Sequence, residues 1–177
     1  MEALLRTPHG SHLYGLADAE SDLDTYTVIA DGHRGSQSIC DGLDATVIPL
    51  SRWLHLCDIG AHQALEAMFS RQADPSPLDP YRSGYRAAIG ATADRYRRTI
   101  RNFILSDRYP IGSRADFKRN RHALRLVLNL NEVLTCGRFD PTLTPAQARS
   151  ITEIAGTTTA GVASEAQRLS LIDLGLR

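Results

Sequence analysis

Residues 9–24 read His9-Gly-Ser-His-Leu-Tyr-Gly-Leu-Ala-Asp-Ala-Glu-Ser-Asp-Leu-Asp24, and this segment combines a Gly-Ser pair with two acids that are separated by one residue. The residues before it, 4–8, and after it, 25–30, are apolar or β-branched and are bounded by turn residues, so both are predicted strands. Residues 43–48 alternate in the same way before Pro49 stops them. The Gly-Ser pair and the acids of this stretch are therefore predicted to lie at the ends of strands in a small sheet.

Helical periodicity replaces the strand pattern from Leu50 onward, where apolar residues recur at spacings of three and four. Gly60 separates the first two predicted helices, and Gly137 and Gly156 are plausible C-terminal stops for two later ones. The expected helices span about residues 50–59, 61–70, 83–106, 116–136, 144–155 and 158–174. The second half of the chain is thus predicted to be helical.

Three prolines within residues 73–82 mark a candidate boundary between two parts of the chain. We expect an α/β (α+β) fold in which residues 1–72 form a core with a small mixed sheet. Residues 73–82 would be a Pro-rich connector, and residues 83–177 would be a helical region that closes the active-site cleft.

The composition is that of an ordinary globular protein, with 42% hydrophobic and 23% charged residues among 177. No apolar run approaches the roughly 20 residues that span a bilayer, so we expect no membrane segment. The first residues do not resemble a secretion signal, and we expect a cytoplasmic protein. The three cysteines lie far apart, which argues against a disulfide framework and against a thiolate zinc site.

The net charge of zero hides an uneven distribution along the chain. Residues 1–81 hold four Arg and twelve Asp or Glu, a net charge of −8, whereas residues 82–125 hold eleven Arg, one Lys and three Asp, a net charge of +9. The remaining residues, 126–177, carry −1. An acidic part that collects cations and a basic part that collects phosphates fit nucleotide chemistry.

Asp22 and Asp24 are separated by one residue ahead of a predicted strand. Alternate side chains of an extended strand share a face, so the two carboxylates are predicted to project together while Leu23 points into the core. Two carboxylates on one face indicate a divalent-cation site. Mg²⁺, with Mn²⁺ as an alternative, prefers such oxygen ligands and completes its shell with water and substrate phosphates.

The Gly10-Ser11 pair is predicted to hold the triphosphate of a nucleotide. A residue without a side chain lets backbone N–H groups approach phosphate oxygens, and the serine hydroxyl can donate as well. His12, the next residue, is interpreted either as a phosphate or base contact or as an ordinary turn residue.

These residues resemble a known family. A Gly-Ser pair followed after a short spacer by Asp-x-Asp is the signature of the DNA polymerase β-like nucleotidyltransferase superfamily. The fuller pattern, Gly-Ser-His-Leu-Tyr-Gly with Ser-Asp-x-Asp, looks like the predicted nucleotidyltransferases of bacteria and phages. Residues 44–54 and 60–69 are similar to two further segments of that family, although Ala61-His62 replace its Asn-Pro. The resemblance continues in patches to about residue 150.

The resemblance implies a minimal nucleotidyltransferase core and roles for particular residues. Asp22 and Asp24 would bind metal, and Asp44 would be a third carboxylate that binds metal and activates the acceptor hydroxyl as a general base. Asp41 is a nearby competitor for the third position, whereas Asp58 and Glu66 fall on predicted helices. Glu66 is as readily a helix-surface or ion-paired residue as a site residue. The implied nucleotide-binding residues are Gly10, Ser11, His12, Tyr14, Ser21, Lys118, His122 and Arg125.

The basic helices have two interpretations. Lys118, His122 and Arg125 share one face of a predicted helix and could hold the β- and γ-phosphates, or they could form a surface cluster. Residues 95–101 hold four arginines that form either a solvated face or a nucleic-acid contact. Tyrosines near these residues could stack on bases; they are Tyr81, Tyr85, Tyr96 and Tyr109.

The expected activity is Mg²⁺-dependent transfer of a nucleoside monophosphate from an NTP, such as ATP, to an acceptor hydroxyl, with release of pyrophosphate. A 3′ end of RNA or DNA is the favoured acceptor because of the basic segment. Two alternatives remain open at this point. One is a protein-modifying enzyme of the toxin–antitoxin type, and the other is a non-catalytic nucleotide-binding protein.

Overall fold

A computed structural model describes residues 2–32, 34–40 and 43–176. Within these ranges the chain forms a four-stranded mixed sheet and eight helices, so the expected α+β class is confirmed. The chain divides into two compact units. The first comprises Met1–Ala87 with Asp140–Thr142, and the second comprises Ala88–Phe139 with Leu143–Arg177. The predicted connector, 73–82, lies within the first unit.

The sheet belongs to the first unit and has the strand order β1-β2-β4-β3. The strands are β1 (Ala3–His9), β2 (Leu23–Ile29), β3 (Ser36–Cys40) and β4 (Leu43–Pro49). β2 pairs antiparallel with β1 and parallel with β4, and β3 pairs antiparallel with β4. The sequence does not predict β3, because Ser-Gln-Ser lacks the β-branched residues typical of strands.

One face of the sheet carries the core of the first unit. Leu5, Tyr26 and Val28 on that face are buried, and the helices α2 (Leu50–Asp58) and α3 (His62–Phe69) contact the strands. The odd-numbered residues of β2 point to the opposite face. Leu23 is one of them and is 58% exposed, so the prediction that it points into the core is wrong. The core covers the face on which Asp24 lies instead.

Side chains from outside α2 and α3 satisfy the ends of these helices. Asp31 Oδ1 accepts hydrogen bonds from the backbone N–H and the hydroxyl of Ser51, at 3.0 and 2.8 Å. These bonds hold the pKa of Asp31 below its usual value. At the end of α3, the buried Arg82 donates to the carbonyl oxygens of Met68, at 3.1 Å, and Ser70. The cation thus stabilises the negative end of that helix.

Two short helices complete the first unit: α1 (Gly10–Tyr14) and α4 (Asp79–Gly84). The sequence predicts a loop where α1 lies and a connector where α4 begins. Pro80 lies in the first turn of α4, where a helix does not need the missing N–H group. Part of the Pro-rich segment is therefore the start of a helix.

The second unit is helical, as predicted. Its helices are α5 (Ile89–Ile104), α6 (Arg114–Cys136), α7 (Pro145–Ala155) and α8 (Thr159–Leu169). α6 contacts each of the other three and contributes more buried apolar residues than any of them, and it ends at Gly137, whose φ is 72°. α8 ends five residues before the predicted limit, because Gln167 bonds the backbone of Ile172 and Leu174. No helix within the described ranges has the length and apolar character needed to cross a membrane.

Candidate metal and nucleotide site

Three adjacent strands place polar residues in one row on the core-facing side of the sheet. His9, the last residue of β1, is the register partner of Asp24 on β2, and Asp24 is the register partner of Asp44 on β4. Register partners on neighbouring strands lie on the same face, about 5 Å apart. The row therefore sets Asp24 beside Asp44, which is the neighbourhood that a third carboxylate requires.

Gly10 lies directly against the carboxylate of Asp24. A Cβ atom on Gly10 would lie 1.8 Å from Oδ2 of Asp24, and the φ angle of Gly10 is 61°. Both features call for glycine, since a side chain would displace the carboxylate and L-residues rarely adopt this φ. The fold thus brings the Gly10-Ser11 pair to the second acid of the Asp-x-Asp pattern.

Asp44 is half-buried, and its Oδ1 atom is buried without a hydrogen bond to any residue that the structure describes. Nε2 of His12, on α1, has the same property within the described part of the chain. Buried polar atoms are normally hydrogen-bonded, because an unsatisfied one costs free energy. Polar atoms of this kind are suited to a ligand, an ion or water.

The donors of this site fit Mg²⁺, but they do not form a three-carboxylate group. Asp22 is exposed and precedes β2, so the strand alternation does not hold it beside Asp24. Across residues 2–32, 34–40 and 43–176, no group of three or more His, Cys, Asp or Glu side chains is arranged to hold a metal ion. Mg²⁺ is commonly bound by one or two carboxylates with substrate phosphates, and Asp24 and Asp44 meet that requirement.

The competitors for the third carboxylate differ in position. Asp41 lies outside the described residues. Asp58 is exposed on α2 and accepts a hydrogen bond of 3.4 Å from the hydroxyl of Tyr85. Of the described acids, Asp44 has the position in the sheet that the sequence argument demands.

Ser21, a predicted nucleotide contact, closes a turn with Asp18. Its hydroxyl donates to Asp18 Oδ1 at 3.0 Å and accepts from the Asp18 N–H at 2.9 Å. Its own N–H donates to the Asp18 carbonyl at 3.0 Å. These bonds shape the loop that leads into β2, so the structure gives Ser21 a local role in ordering that loop.

Tyr14, another predicted nucleotide contact, is a core residue. Only 5% of its surface is exposed, and its hydroxyl donates a 2.6 Å hydrogen bond to Oε2 of Glu66, which is completely buried on α3. Nε2 of His9 lies 3.6 Å from the same oxygen, and the His9 ring packs against Tyr26. Burial raises the pKa of Tyr26, so its hydroxyl stays protonated.

The sequence reasoning did not identify His9 and left the place of Glu66 open. A signal was present for Glu66, because its nearest neighbours on the predicted helix, Ala64, Leu65, Ala67, Met68 and Phe69, are all apolar. A helical segment that is apolar all round is buried, and a carboxylate within it is buried too. No comparable signal existed for His9, whose burial depends on contacts with α1 and α3.

One face of α6 carries Lys118, His122 and Arg125, but the three side chains differ in burial. Lys118 is exposed, His122 is half-buried against the ring of Phe103 at 4.9 Å, and Arg125 has no exposed surface. Nη2 of Arg125 lies 3.1 Å from Nδ1 of His122. Arg125 is therefore a core residue and not a surface ligand for phosphate, because the face that it shares runs from solvent into the packing of the helices.

The arginines of α5 keep both of their interpretations. Arg97, Arg98 and Arg101 are exposed, which suits a solvated face as well as a phosphate contact. Tyr96 is 1% exposed and packs against Phe139, so it is not available to stack on a base.

The remaining tyrosines differ in their surroundings. The guanidinium group of Arg108 lies over the ring of Tyr109, with Cζ of Arg108 5.5 Å from the centre of that ring. Tyr81 and Tyr85, in the first unit, pack against each other with ring centres 5.8 Å apart.

No protein-family model matches this sequence, and no curated protein matches it either.

Proposed function

We propose that this protein is a metal-dependent nucleotidyltransferase that moves a nucleoside monophosphate from an NTP to an acceptor hydroxyl and releases pyrophosphate. The observation that carries the proposal is the parallel register of β2 and β4, which sets Asp24 beside Asp44. The close approach of Gly10 to Asp24 supports it, because a nucleotide site of this type needs a phosphate-binding backbone next to its carboxylates.

Asp24 and Asp44, with Asp22 beside them in the sequence, would hold Mg²⁺, for which Mn²⁺ is an alternative. When bound, Mg²⁺ would neutralise the triphosphate and stabilise the charge of the leaving pyrophosphate. The N–H groups and hydroxyl of the Gly10-Ser11 pair bind oxygens of the triphosphate, and His12 lies next to them as a further donor.

Asp44 takes the proton of the acceptor hydroxyl. The hydroxyl oxygen forms a bond to the α-phosphorus while the bond from that phosphorus to the bridging oxygen breaks. The electron pair leaves with pyrophosphate. Catalysis in this scheme consists mainly of positioning and of charge neutralisation.

A nucleic-acid 3′ end is the acceptor class that the charges favour. The stretch from 82 to 125 carries a net charge of +9. Its exposed cations include Arg97, Arg98, Arg101, Arg108, Arg114 and Lys118. Exposed cations bind nucleic-acid phosphates by releasing counterions, which gives sequence-independent affinity for a strand. Protein hydroxyls remain an outcome of the experiment below.

The activity is tested by incubating the full-length protein with each α-labelled NTP, Mg²⁺ or Mn²⁺, and RNA and DNA oligonucleotides or a cell extract. We expect label in one acceptor class and release of pyrophosphate. Asp24→Asn and Asp44→Asn should each lower the rate by at least about a hundredfold, since both remove charge from the site. Asp74→Asn is the matched control, because Asp74 is an exposed acid of the same unit. An undiminished rate in Asp24→Asn would overturn the assignment.

A second candidate function is nucleotide binding without transfer. The observation in its favour is that the described residues do not assemble a group of three metal-binding side chains. It predicts NTP binding that does not depend on Mg²⁺ and that Asp44→Asn leaves unchanged. Metal-dependent binding, lost in Asp24→Asn, would exclude it.

A further inference from the structure

A buried polar cluster lies behind the Gly10-Ser11 pair in the first unit. Glu66 is completely buried, its Oε2 accepts the hydroxyl of Tyr14 at 2.6 Å, and Nε2 of His9 lies 3.6 Å from the same atom. The rings of His9 and Tyr14 meet edge to face, with centres 6.1 Å apart. One carboxylate oxygen therefore joins two residues that lie more than fifty positions away in the chain.

Burying a carboxylate is unfavourable unless hydrogen bonds compensate for the lost water, and an apolar side chain would fill the same space without that cost. All other residues of α3 from Ala64 to Phe69 are apolar and buried. A hydrogen bond to a buried carboxylate in such surroundings, here from the hydroxyl of Tyr14, fixes one geometry more strictly than apolar packing does. The cluster is therefore suited to positioning rather than to stability alone.

The two partners of Glu66 flank the Gly10-Ser11 pair. His9 is the residue before the pair, at the end of β1, and Tyr14 is the last residue of α1, the short helix that begins with the pair. The same helix is held at its end by Gln72, whose Nε2 donates to the Leu13 carbonyl at 3.3 Å. Since a Cβ on Gly10 would already overlap Asp24, small shifts of this segment alter the site.

We infer that Glu66, acting through Tyr14 and His9, is a positioning residue that fixes the Gly10-Ser11 pair against Asp24. This inference rests on the proposed function for what the segment binds, because a triphosphate would be the group that the fixed backbone receives. The positioning itself is a property of the folded chain and can be measured without any nucleotide.

The reporter for the test is the backbone amide of Leu16, which donates to the Ser11 carbonyl at 2.9 Å. The reference is the amide of Ala61, which donates to the Leu56 carbonyl at 2.8 Å in the same unit. Hydrogen exchange of both amides is measured by NMR in the full chain. Comparing the two separates a local loosening from a loss of overall stability.

Tyr14→Phe removes only the hydroxyl that bonds Glu66. We expect the exchange rate at Leu16 to rise about tenfold relative to Ala61, since a hydrogen bond to a carboxylate is lost. Glu66→Gln keeps an acceptor for Tyr14 but removes the charge, so it should give a smaller rise in the same direction. The matched control is Thr7→Val, which removes a buried hydroxyl of β1 that bonds Ser70 at 2.7 Å. It should leave the ratio unchanged.

A rise of the same factor at Leu16 and Ala61 in Tyr14→Phe would overturn the inference, because the cluster would then contribute stability without positioning. Mg²⁺-dependent NTP affinity is measured in parallel and should fall about tenfold in Tyr14→Phe. If the unmodified protein binds no NTP, the proposed function fails, while the exchange ratio still decides whether Glu66 fixes the segment.

Discussion

Two regions of the molecule carry side chains that could bind a metal ion or phosphate, and they differ in whether those side chains share one degree of burial. Near the ends of β2 and β4, Asp24 and Asp44 are register partners, and the backbone of Gly10 touches one of them. Along α6, Lys118 and Arg125 share a face, yet one is exposed and the other is completely buried. Strand pairing brings groups from distant positions together at one depth. A long helix in a packed bundle carries one face through several environments.

The difference shows where a spacing argument is reliable. On paired strands, the alternation and the register together fix both the face and the neighbour of a side chain. On a helix, a spacing of three or four fixes only the face, and the packing partners decide how deep each position lies. The sequence spacing therefore determines the surroundings of Asp24 and Asp44 more completely than it determines those of the basic residues on α6.

The largest expected effect comes from adding one methyl group at the sheet site. Gly10→Ala places a Cβ 1.8 Å from Asp24 Oδ2 at a φ of 61°, so the loop or the carboxylate must move. We expect Mg²⁺-dependent NTP affinity to fall by at least about a hundredfold, with a stability loss of roughly 2–4 kcal/mol. Both are measured by calorimetric titration and by urea unfolding.

The matched variant is Gly32→Ala, because Gly32 also has a positive φ, of 93°, but nothing lies within 4 Å of its Cβ position. It should lose only the conformational part, about 1–2 kcal/mol, and keep its NTP affinity. Equal loss of affinity in both variants would show that the contact with Asp24 does not matter.

The next effect separates the two ends of the α6 face. Arg125→Met should lower the free energy of unfolding by about 3 kcal/mol, because it removes a completely buried guanidinium group and its hydrogen bond to Nδ1 of His122. Lys118→Met should change it by less than about 0.5 kcal/mol, since Lys118 is exposed. Urea unfolding measures both. Similar changes in the free energy of unfolding for the two variants would mean that Lys118 and Arg125 do not differ in burial.

The sequence predicts much of the first unit, and the failures have physical causes. β1, β2, β4 and the positions of Asp24 and Asp44 follow from alternation and turn residues, which are local signals. Leu23 fails because alternation cannot say which face the helices cover. Tyr14 and Glu66 are missed as partners because their contact joins residues 52 positions apart. The single helix expected from 83 to 106 is instead divided between α4, in the first unit, and α5, in the second, since the chain is extended at Tyr85 and Ala88.

A smaller effect tests whether the basic surface of α5 binds a strand. Arg97→Ala with Arg98→Ala should weaken binding of single-stranded RNA severalfold. The slope of log affinity against log salt should fall by about 0.7 for each phosphate that the variant no longer neutralises. Arg149→Ala with Arg168→Ala is the matched control, because these arginines are exposed on α7 and α8. Equal weakening in both pairs would indicate general charge attraction without a defined surface.

The smallest effect contrasts a structural carboxylate with the site carboxylates. Asp31 accepts two hydrogen bonds from Ser51, which hold its pKa below the usual value, so its contribution to stability is present at neutral pH. That contribution is lost as pH falls through the lowered pKa of the folded state. The melting temperature of Asp31→Asn should therefore lie slightly below that of the unmodified protein at pH 7 and approach it as the solution is made acidic.

Asp44→Asn is expected to behave in the reverse way. Oδ1 of Asp44 is buried without a hydrogen bond among the described residues, so its replacement by an amide oxygen breaks no such bond and should not lower the melting temperature. It should lower NTP affinity, which Asp31→Asn should leave unchanged. A stability loss in Asp44→Asn larger than that in Asp31→Asn would assign Asp44 a structural role.

We propose that Asp24, Asp44 and the Gly10-Ser11 pair form one metal-dependent nucleotide site. Mn²⁺ in place of Mg²⁺ broadens the NMR signals of nearby nuclei, so it locates the metal without any acceptor. With Mn²⁺ and a non-hydrolysable NTP, the amide signals of residues 10–12, 23–25 and 44–46 should broaden first, and Asp24→Asn should abolish this pattern. Broadening that is centred on other residues, or that persists in Asp24→Asn, would show that the metal does not bind at Asp24 and Asp44.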